Sequence, residues 1–479
     1  MNGLEVSEVL LSEVKNENKS FRFDSEYFKK EYLIDDIILH KYRIFKLGEL
    51  SFITDGQHGY HEIDENSNIH MLTAKNAKTW FANLEGAEPL AKWVDDKNKR
   101  SSLQDKDIIL STRGTVGCCA LVVQEILPAN IDQDIARIKL ETNDFKPEFL
   151  IAYLNSKFGY DWMIRNQTGM VQQGLSLEKV RTFPIPRIPL KFQQKIETMV
   201  QLAYQKLQQE KKLYSQAENL LLCELGLENF NPSNEKVSIK SLKESFLKTG
   251  RLDSEYYQPK YEVMEKKLDK IGVEKLESIC SLINYGTVPT SPYVKNNNSV
   301  PYIKGMNLKN CFVVGELDEI ENTDNLQDKF FTKENDIIIS QMGTVGDVGI
   351  VTKEQENYLF ASFTIRARLD DDRFNPFFVG AYIQNVAKEY YLYRNIAQAS
   401  VRQNTDLPTI KNMPIPMVKK EVQDEIAGYI KQSMEYSKKA KELLKISTKS
   451  VEIAIDKDEQ AAHNFLDRQT DRQTDGRIL

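Results

Sequence analysis

The sequence predicts an α+β fold: two tandem β-rich domains, each followed by a long helix, with the two helices pairing as an antiparallel coiled coil in pseudo-two-fold symmetry. Three observations carry this expectation. The chain repeats itself at one offset, each repeat mixes period-two and helical patterning, and each closes at Pro-Ile-Pro before a long amphipathic stretch. At 479 residues there is room for about three units of ~150 residues. Lys+Arg number 64 against 70 Asp+Glu, a net charge of −6, so bulk charge does not favour a polyanion and any nucleic-acid face must be local. No stretch reaches the ~18 apolar residues of a membrane helix, and Met1-Asn2-Gly3-Leu4-Glu5 lacks the basic and apolar regions of an export signal, so a cytoplasmic location is expected. Cys118, Cys119, Cys223, Cys280 and Cys311 show no C-x-x-C spacing and read as reduced thiols.

The repeat organises the chain. Arg22-Phe-Asp-Ser-Glu-Tyr-Phe28 returns as Arg251-Leu-Asp-Ser-Glu-Tyr-Tyr257, an offset of 229 residues (251 − 22). Asp107-Ile-Ile-Leu-Ser111 with Gly114-Thr-Val-Gly117 returns at the same offset as Asp336-Ile-Ile-Ile-Ser340 with Gly343-Thr-Val-Gly346. Phe145 to Tyr153 matches Phe374 to Tyr382, and Phe183-Pro-Ile-Pro186 matches Met413-Pro-Ile-Pro416. Four blocks in one order make a duplication.

Within each copy, Asp107–Ser111 and Asp336–Ser340 are apolar runs stopped by glycine, the pattern of a buried strand entering a tight turn. Ala136, Ile138 and Leu140, like Ile365, Ala367 and Leu369, alternate with polar residues and predict a half-buried strand. Pro147 and Pro376 suit the first turn of a helix. After the Pro-Ile-Pro exits, Phe192, Ile196, Met199, Ala203, Leu213, Ala217 and Leu220 form one helical stripe. Val422, Ile426, Ile430, Ser437, Ala440, Leu444 and Val451 form the other. Two helices of ~35 residues, paired antiparallel, would space two units by ~50 Å along a two-fold that duplex DNA also possesses locally. A bipartite DNA reader is one use of such a frame; an amphipathic helix packed on its own domain is the simpler alternative.

The twin Asp-Ile-Ile-(Leu/Ile)-Ser…Gly-Thr-Val-Gly blocks, the Pro-Ile-Pro exits with Gln193 and Gln423 downstream, and the two long helices together resemble the specificity subunit of a Type I restriction-modification enzyme, from about residue 20 to 456. The resemblance implies two target-recognition domains, 19–190 and 251–419, each reading one half of an interrupted DNA target. It places an N-terminal segment at 1–18, spacer helices at 191–228 and 420–456, and a linker at 229–250. It also implies double-stranded DNA as ligand, two modification subunits bringing S-adenosylmethionine to methylate adenine, and motor-nuclease restriction subunits. No cofactor and no catalytic site are implied in this chain itself. In keeping with that, Asn375-Pro-Phe-Phe378 departs from the (Asn/Asp)-Pro-Pro-(Tyr/Phe) loop of adenine methylases, and no phosphate-binding G-x-x-x-x-G-K-(S/T) occurs. A two-headed coiled-coil scaffold, or an enzyme with an unrecognised nuclease or methylase site, stays open as an alternative.

Asp55-Gly-Gln-His-Gly-Tyr-His61 offers two histidines but no third metal ligand at a defined spacing, so the expected role is a variable loop reading base edges. Gln57, His58, Tyr60 and His61 in copy one, with Tyr285 and Thr287 in copy two, are the expected base readers. Lys75, Asn76 and Lys78, matched to Lys304, Asn307 and Lys309, are expected on phosphates or purines. Arg113, opposite Met342 in the repeat, is expected to give specificity, as are Gln172 and Gln173 opposite Arg402 and Gln403. From about residue 457 a polar tail is expected to be disordered. Its Asp467-Arg-Gln-Thr470-Asp471-Arg-Gln-Thr474-Asp475 fits a four-base GACA repeat, whose slippage would shift the frame after about Leu466 and give phase variation.

Overall fold

Pro184-Ile-Pro186 and Pro414-Ile-Pro416 do more than end a domain: each is a short strand, because proline needs no ladder donor at an edge and pre-sets extended backbone. The computed structural model describes residues 7–17, 22, 24–169, 174–230, 237–289, 293–294, 298–322, 327–396 and 404–474. Two units share the chain, Met1–Leu207 with Lys438–Leu479, and Gln208–Ser437.

In the first unit the strands are β1 (Ile44–Lys46), β2 (Ser51–Asp55), β3 (His70–Leu72), β4 (Glu88–Pro89), β5 (Ile108–Ser111), β6 (Cys119–Leu121), β7 (Ala129–Ile131), β8 (Ile135–Leu140) and β9 (Pro184–Pro186). They form a four-stranded sheet ordered β2-β8-β5-β6, a three-stranded sheet β4-β3-β7, and the pair β1-β9. The β5 run is buried along its whole length and turns through Gly114 and Gly117, whose φ of 74° and 92° favour glycine. Strand β8 corrects the half-buried expectation. It lies between β2 and β5, and Arg137 is buried together with its apolar neighbours by pairing with Asp107. Helix Pro147–Leu154 is buried from Glu148 onward.

The second unit repeats this plan with β10 (Val273–Lys275), β11 (Cys280–Tyr285), β12 (Ser299–Ile303), β13 (Leu308–Lys309), β14 (Phe312–Val313), β15 (Asp318–Glu321), β16 (Ile337–Ser340), β17 (Val348–Ile350), β18 (Leu359–Phe360), β19 (Thr364–Leu369) and β20 (Pro414–Pro416). The corresponding sheets are β11-β19-β16-β17, β15-β12-β18 and β10-β20, with β13-β14 as an added hairpin. Helix Pro376–Tyr382 runs on through a π-helical stretch, Ile383–Leu392.

The long helices are Leu190–Glu224 and Lys420–Asp456. In the first unit Phe192, Ile196, Val200 and Ala203 share a core with Ala440, Leu444, Val451 and Ile455. In the second, Ala217, Leu221 and Leu225 share a core with Ile426, Ala427 and Ile430. The start of one helix meets the end of the other, an antiparallel pairing that also gives each unit part of its core.

The tail differs from expectation. A helix covers Glu459–Thr474, with Ala462 and Leu466 buried in the first core and the His463 ring edge-on to Phe192 at 5.6 Å. Ala462, Phe465 and Leu466 supply a helical apolar stripe just before the polar repeat, and tertiary burial orders what composition alone leaves unstructured.

Candidate nucleic-acid interface

The residue that follows strand β2 must be glycine. A Cβ on Gly56 would lie 1.7 Å from the Ile131 carbonyl oxygen. The close approach lets Gly56 N donate to Asp132 O at 3.2 Å and Gln57 N to Ile131 O at 3.1 Å, pinning residues 56–61 to the turn between β7 and β8. Thr112 N donates to Asp134 O at 2.8 Å, and Arg113 bridges to Gly174. Three loops thus converge at one end of the four-stranded sheet.

These loops bring Gln57, His58, Tyr60, His61 and Arg113 together. Gln57 is half-buried; its amide donates to Tyr60 O at 3.0 Å and accepts from Asn98 at 2.9 Å. His58 lies 2.8 Å from Asp55, His61 3.1 Å from Glu88, and Arg113 3.3 Å from Asp134. Tyr60 is 84% exposed and stacks beside His61. Burial pushes the Asp132 carboxyl up to about 6; the Asp134 backbone N–H that it accepts opposes the shift, the Asp134 charge adds to it, and His61 opposes it. The two histidines face different carboxylates, and among the described residues no cluster of three or more His, Cys, Asp or Glu could hold a metal. Tyr60, His58 and Arg113 can present donors and a ring face to a groove.

The second unit builds the same frame. A Cβ on Gly286 would lie 2.2 Å from Phe360 O; Thr287 N donates to that oxygen at 2.9 Å. Ser362 N donates to Thr287 O at 3.0 Å, Gln341 N to Phe363 O at 2.9 Å, and Met342 bridges to Asn404. Thr287 therefore occupies the place of Gln57, with its hydroxyl donating to Val288 O at 3.3 Å. The Tyr285 hydroxyl accepts from Leu407 N at 3.0 Å, which ties it to the frame.

The lysine and asparagine set needs correcting. Asn76 is 1% exposed; its amide donates to Asn83 O and Glu85 O at 2.9 and 3.1 Å and accepts from Thr73 N at 2.9 Å. Asn307 does the same, 5% exposed, with Val314 O, Glu316 O and Lys304 N. Both asparagines shape a 3-10 turn and have no face for a base. This register sets Lys304 opposite Thr73, so Met306, 81% exposed, stands opposite Lys75. Lys304 instead pairs with Asp318 and lies 4.7 Å from the Tyr293 ring centroid. Lys75, Lys78 and Lys309 are exposed. Gln172, Gln173, Arg402 and Gln403 lie outside the described residues.

Three repeated features escaped the sequence reading although all recur at 229 or 230 residues. Asp107–Arg137 recurs as Asp336–Arg366, both pairs buried. Gln193 and Gln423 were seen only as matching letters. Each is buried at the start of a long helix, accepts a backbone N–H from Lys146 or Asn375, and donates to two carbonyls. Arg165 covers Tyr27 at 4.4 Å and Arg394 covers Tyr256 at 4.5 Å.

The family described as Type I restriction modification DNA specificity domain matches the chain twice, at residues 40–219 and 269–446, together about three quarters of its length. The chain belongs to this family. Each specificity domain holds one four-stranded sheet, one loop cluster and most of one long helix. The Type I restriction enzyme EcoBI specificity subunit of Escherichia coli is 24% identical over 127 residues, 26% of this chain and 27% of that relative, so the chain matches about a quarter of the length of this curated relative. Among solved structures, the S subunit of a Type I system from M. genitalium is similar over 87% of this chain and 95% of its own, at 12% identity and a TM-score of 0.41. The HsdS subunit from Thermoanaerobacter tengcongensis covers 87% and 97%, at 16% identity and a TM-score of 0.28.

Proposed function

We propose that this chain is the DNA sequence-specificity subunit of a Type I restriction-modification complex, recognising an interrupted bipartite target and performing no catalysis itself. The observation that carries the reading is the double family match to one frame whose loop ends differ in chemistry between the copies: the same sheets, glycine approaches and glutamine clamps, but Gln57, His58 and Arg113 in one and Thr287, Val288 and Met342 in the other. A shared frame with divergent tips is what two unlike half-sites require.

On this reading the target-recognition domains span 19–190 and 251–419, with 191–228 and 420–456 as spacer helices. Gln57, His58, Tyr60, His61 and Arg113 face one half-site and Thr287 the other, while Lys75, Lys78 and Lys309 meet phosphates. Two modification subunits carrying S-adenosylmethionine and the motor-nuclease subunits are the partners. The described residues contain no helix long and apolar enough to cross a membrane.

The test is a genome-wide methyladenine map of cells expressing this chain with the adjacent modification subunit, compared with cells lacking this chain. A motif of two short blocks around a fixed gap, lost on deletion, is expected. Methylation that is robust and identical in both cells would refute the assignment.

A further inference from the structure

Three register positions at the tips of the two loop clusters differ in the same sense. His58, Arg113 and Asp134 in the first unit become Val288, Met342 and Phe363 in the second. In the first unit these groups make polar pairs, His58 with Asp55 and Arg113 with Asp134. In the second, Val288 is 64% and Phe363 57% exposed, and the loop carrying Phe363 lies between the other two, bonded to Thr287 through Ser362 N and to the Met342 loop through the Gln341 N–H to Phe363 O bond. Three loops whose backbones are bonded to one another thus all carry an apolar residue at the tip. Apolar side chains left more than half exposed, as Val288 and Phe363 are, call for a ligand with an apolar face. In the major groove of duplex DNA that face is the thymine C5-methyl, while Arg113 on the other unit has the donor fork suited to guanine.

We infer that Phe363 and Met342 are specificity-determining residues that read a thymine methyl group in the half-site met by the second unit. The inference deepens the proposed function and rests on it.

The experiment uses the assembled modification complex and duplexes carrying the mapped target, with each thymine replaced in turn by deoxyuridine, which deletes only the methyl. At one or more thymines, confined to one half-site, the replacement is expected to weaken binding about fourfold, the transfer value of one buried methyl. Phe363→Ala, at an exposed position, and Met342→Ala, at a half-buried one, are expected to diminish that difference. Met342→Arg with Phe363→Asp, which installs the pair of the first unit, is expected to abolish it. Sequence-specific binding that tolerates deoxyuridine at every thymine would overturn the inference alone, as would a methyl effect undiminished in all the variants. Absence of any sequence-specific binding by the unaltered complex would overturn the specificity-subunit reading, and this inference with it.

Discussion

Arg137 Nε donates to Asp107 Oδ2 at 2.7 Å with both side chains about 95% buried, across the strand pair that carries the loop cluster. Burial drives the Asp107 carboxyl upward and Arg137 opposes that drive, so neither charge is compensated without the other. Arg366 and Asp336 repeat the pair, with Arg368 as a second partner at 2.6 Å. Arg137→Ala is therefore expected to cost about 3–5 kcal/mol, read as a lowered denaturation midpoint. A loss below about 1 kcal/mol would mean that Asp107 finds another partner.

Gly56 and Gly286 are the points where loop and sheet touch. Gly56→Ala is expected to displace the 57–61 loop and alter the half-site read by the first unit, leaving the other half unchanged. Gly286→Ala should do the converse. The methylation maps of the two variants measure this directly.

Asn76 and Lys78 are two residues apart yet predict opposite readouts. Asn76→Ala removes the internal hydrogen bonds of its amide and should cost about 1–3 kcal/mol of stability. Lys78→Ala should leave the melting temperature unchanged but lower the salt dependence of DNA binding by about one unit of slope. Equal melting temperatures for both variants would contradict the assignment.

Asp132 sets a pH dependence. Its folded value is raised to about 6, so between the unfolded carboxylate range and pH 6 the folded state holds a proton that the unfolded state has released. Stability is expected to fall as pH rises from about 4 to 6 and then level off. Asp132→Asn should lessen the slope over that range in thermal melts, the remainder coming from Asp161, whose burial also raises it to about 6.

The tail helix divides at Leu466. Leu466→Ala should cost about 2 kcal/mol, the low end for a buried leucine. Ending the chain directly after Leu466 should cost little, because the buried Ala462 and Leu466 remain. A frame shift in the repeat would thus spare the core contact, and calorimetry on both variants checks it.

Much of the frame was legible in the letters. The offset of 229 identified the duplication, glycine and proline marked the turns and exits, and the helical stripes gave the long helices. Local pattern was enough there because these features depend on backbone freedom and on periodic burial. The loop cluster was legible in part: His58 and Arg113 stood out as divergent, whereas Asp134 and Phe363 did not, since nothing near them in sequence marks a loop tip.

What the sequence by itself determined is the repeat, the alternation of sheet and helix, and the chemistry available at each register position. Tertiary structure decided which of that chemistry faces outward. Asn76 and Lys75 are neighbours, but a turn closed by backbone carbonyls seven and nine residues on buries the amide and leaves the lysine exposed. Arg137 reads as the solvent side of an alternating strand, yet strands on both sides of β8 and the Asp107 carboxylate make it core. Burial is set by what packs across from a residue, and that partner lies tens of residues away in the chain, beyond the reach of any local period.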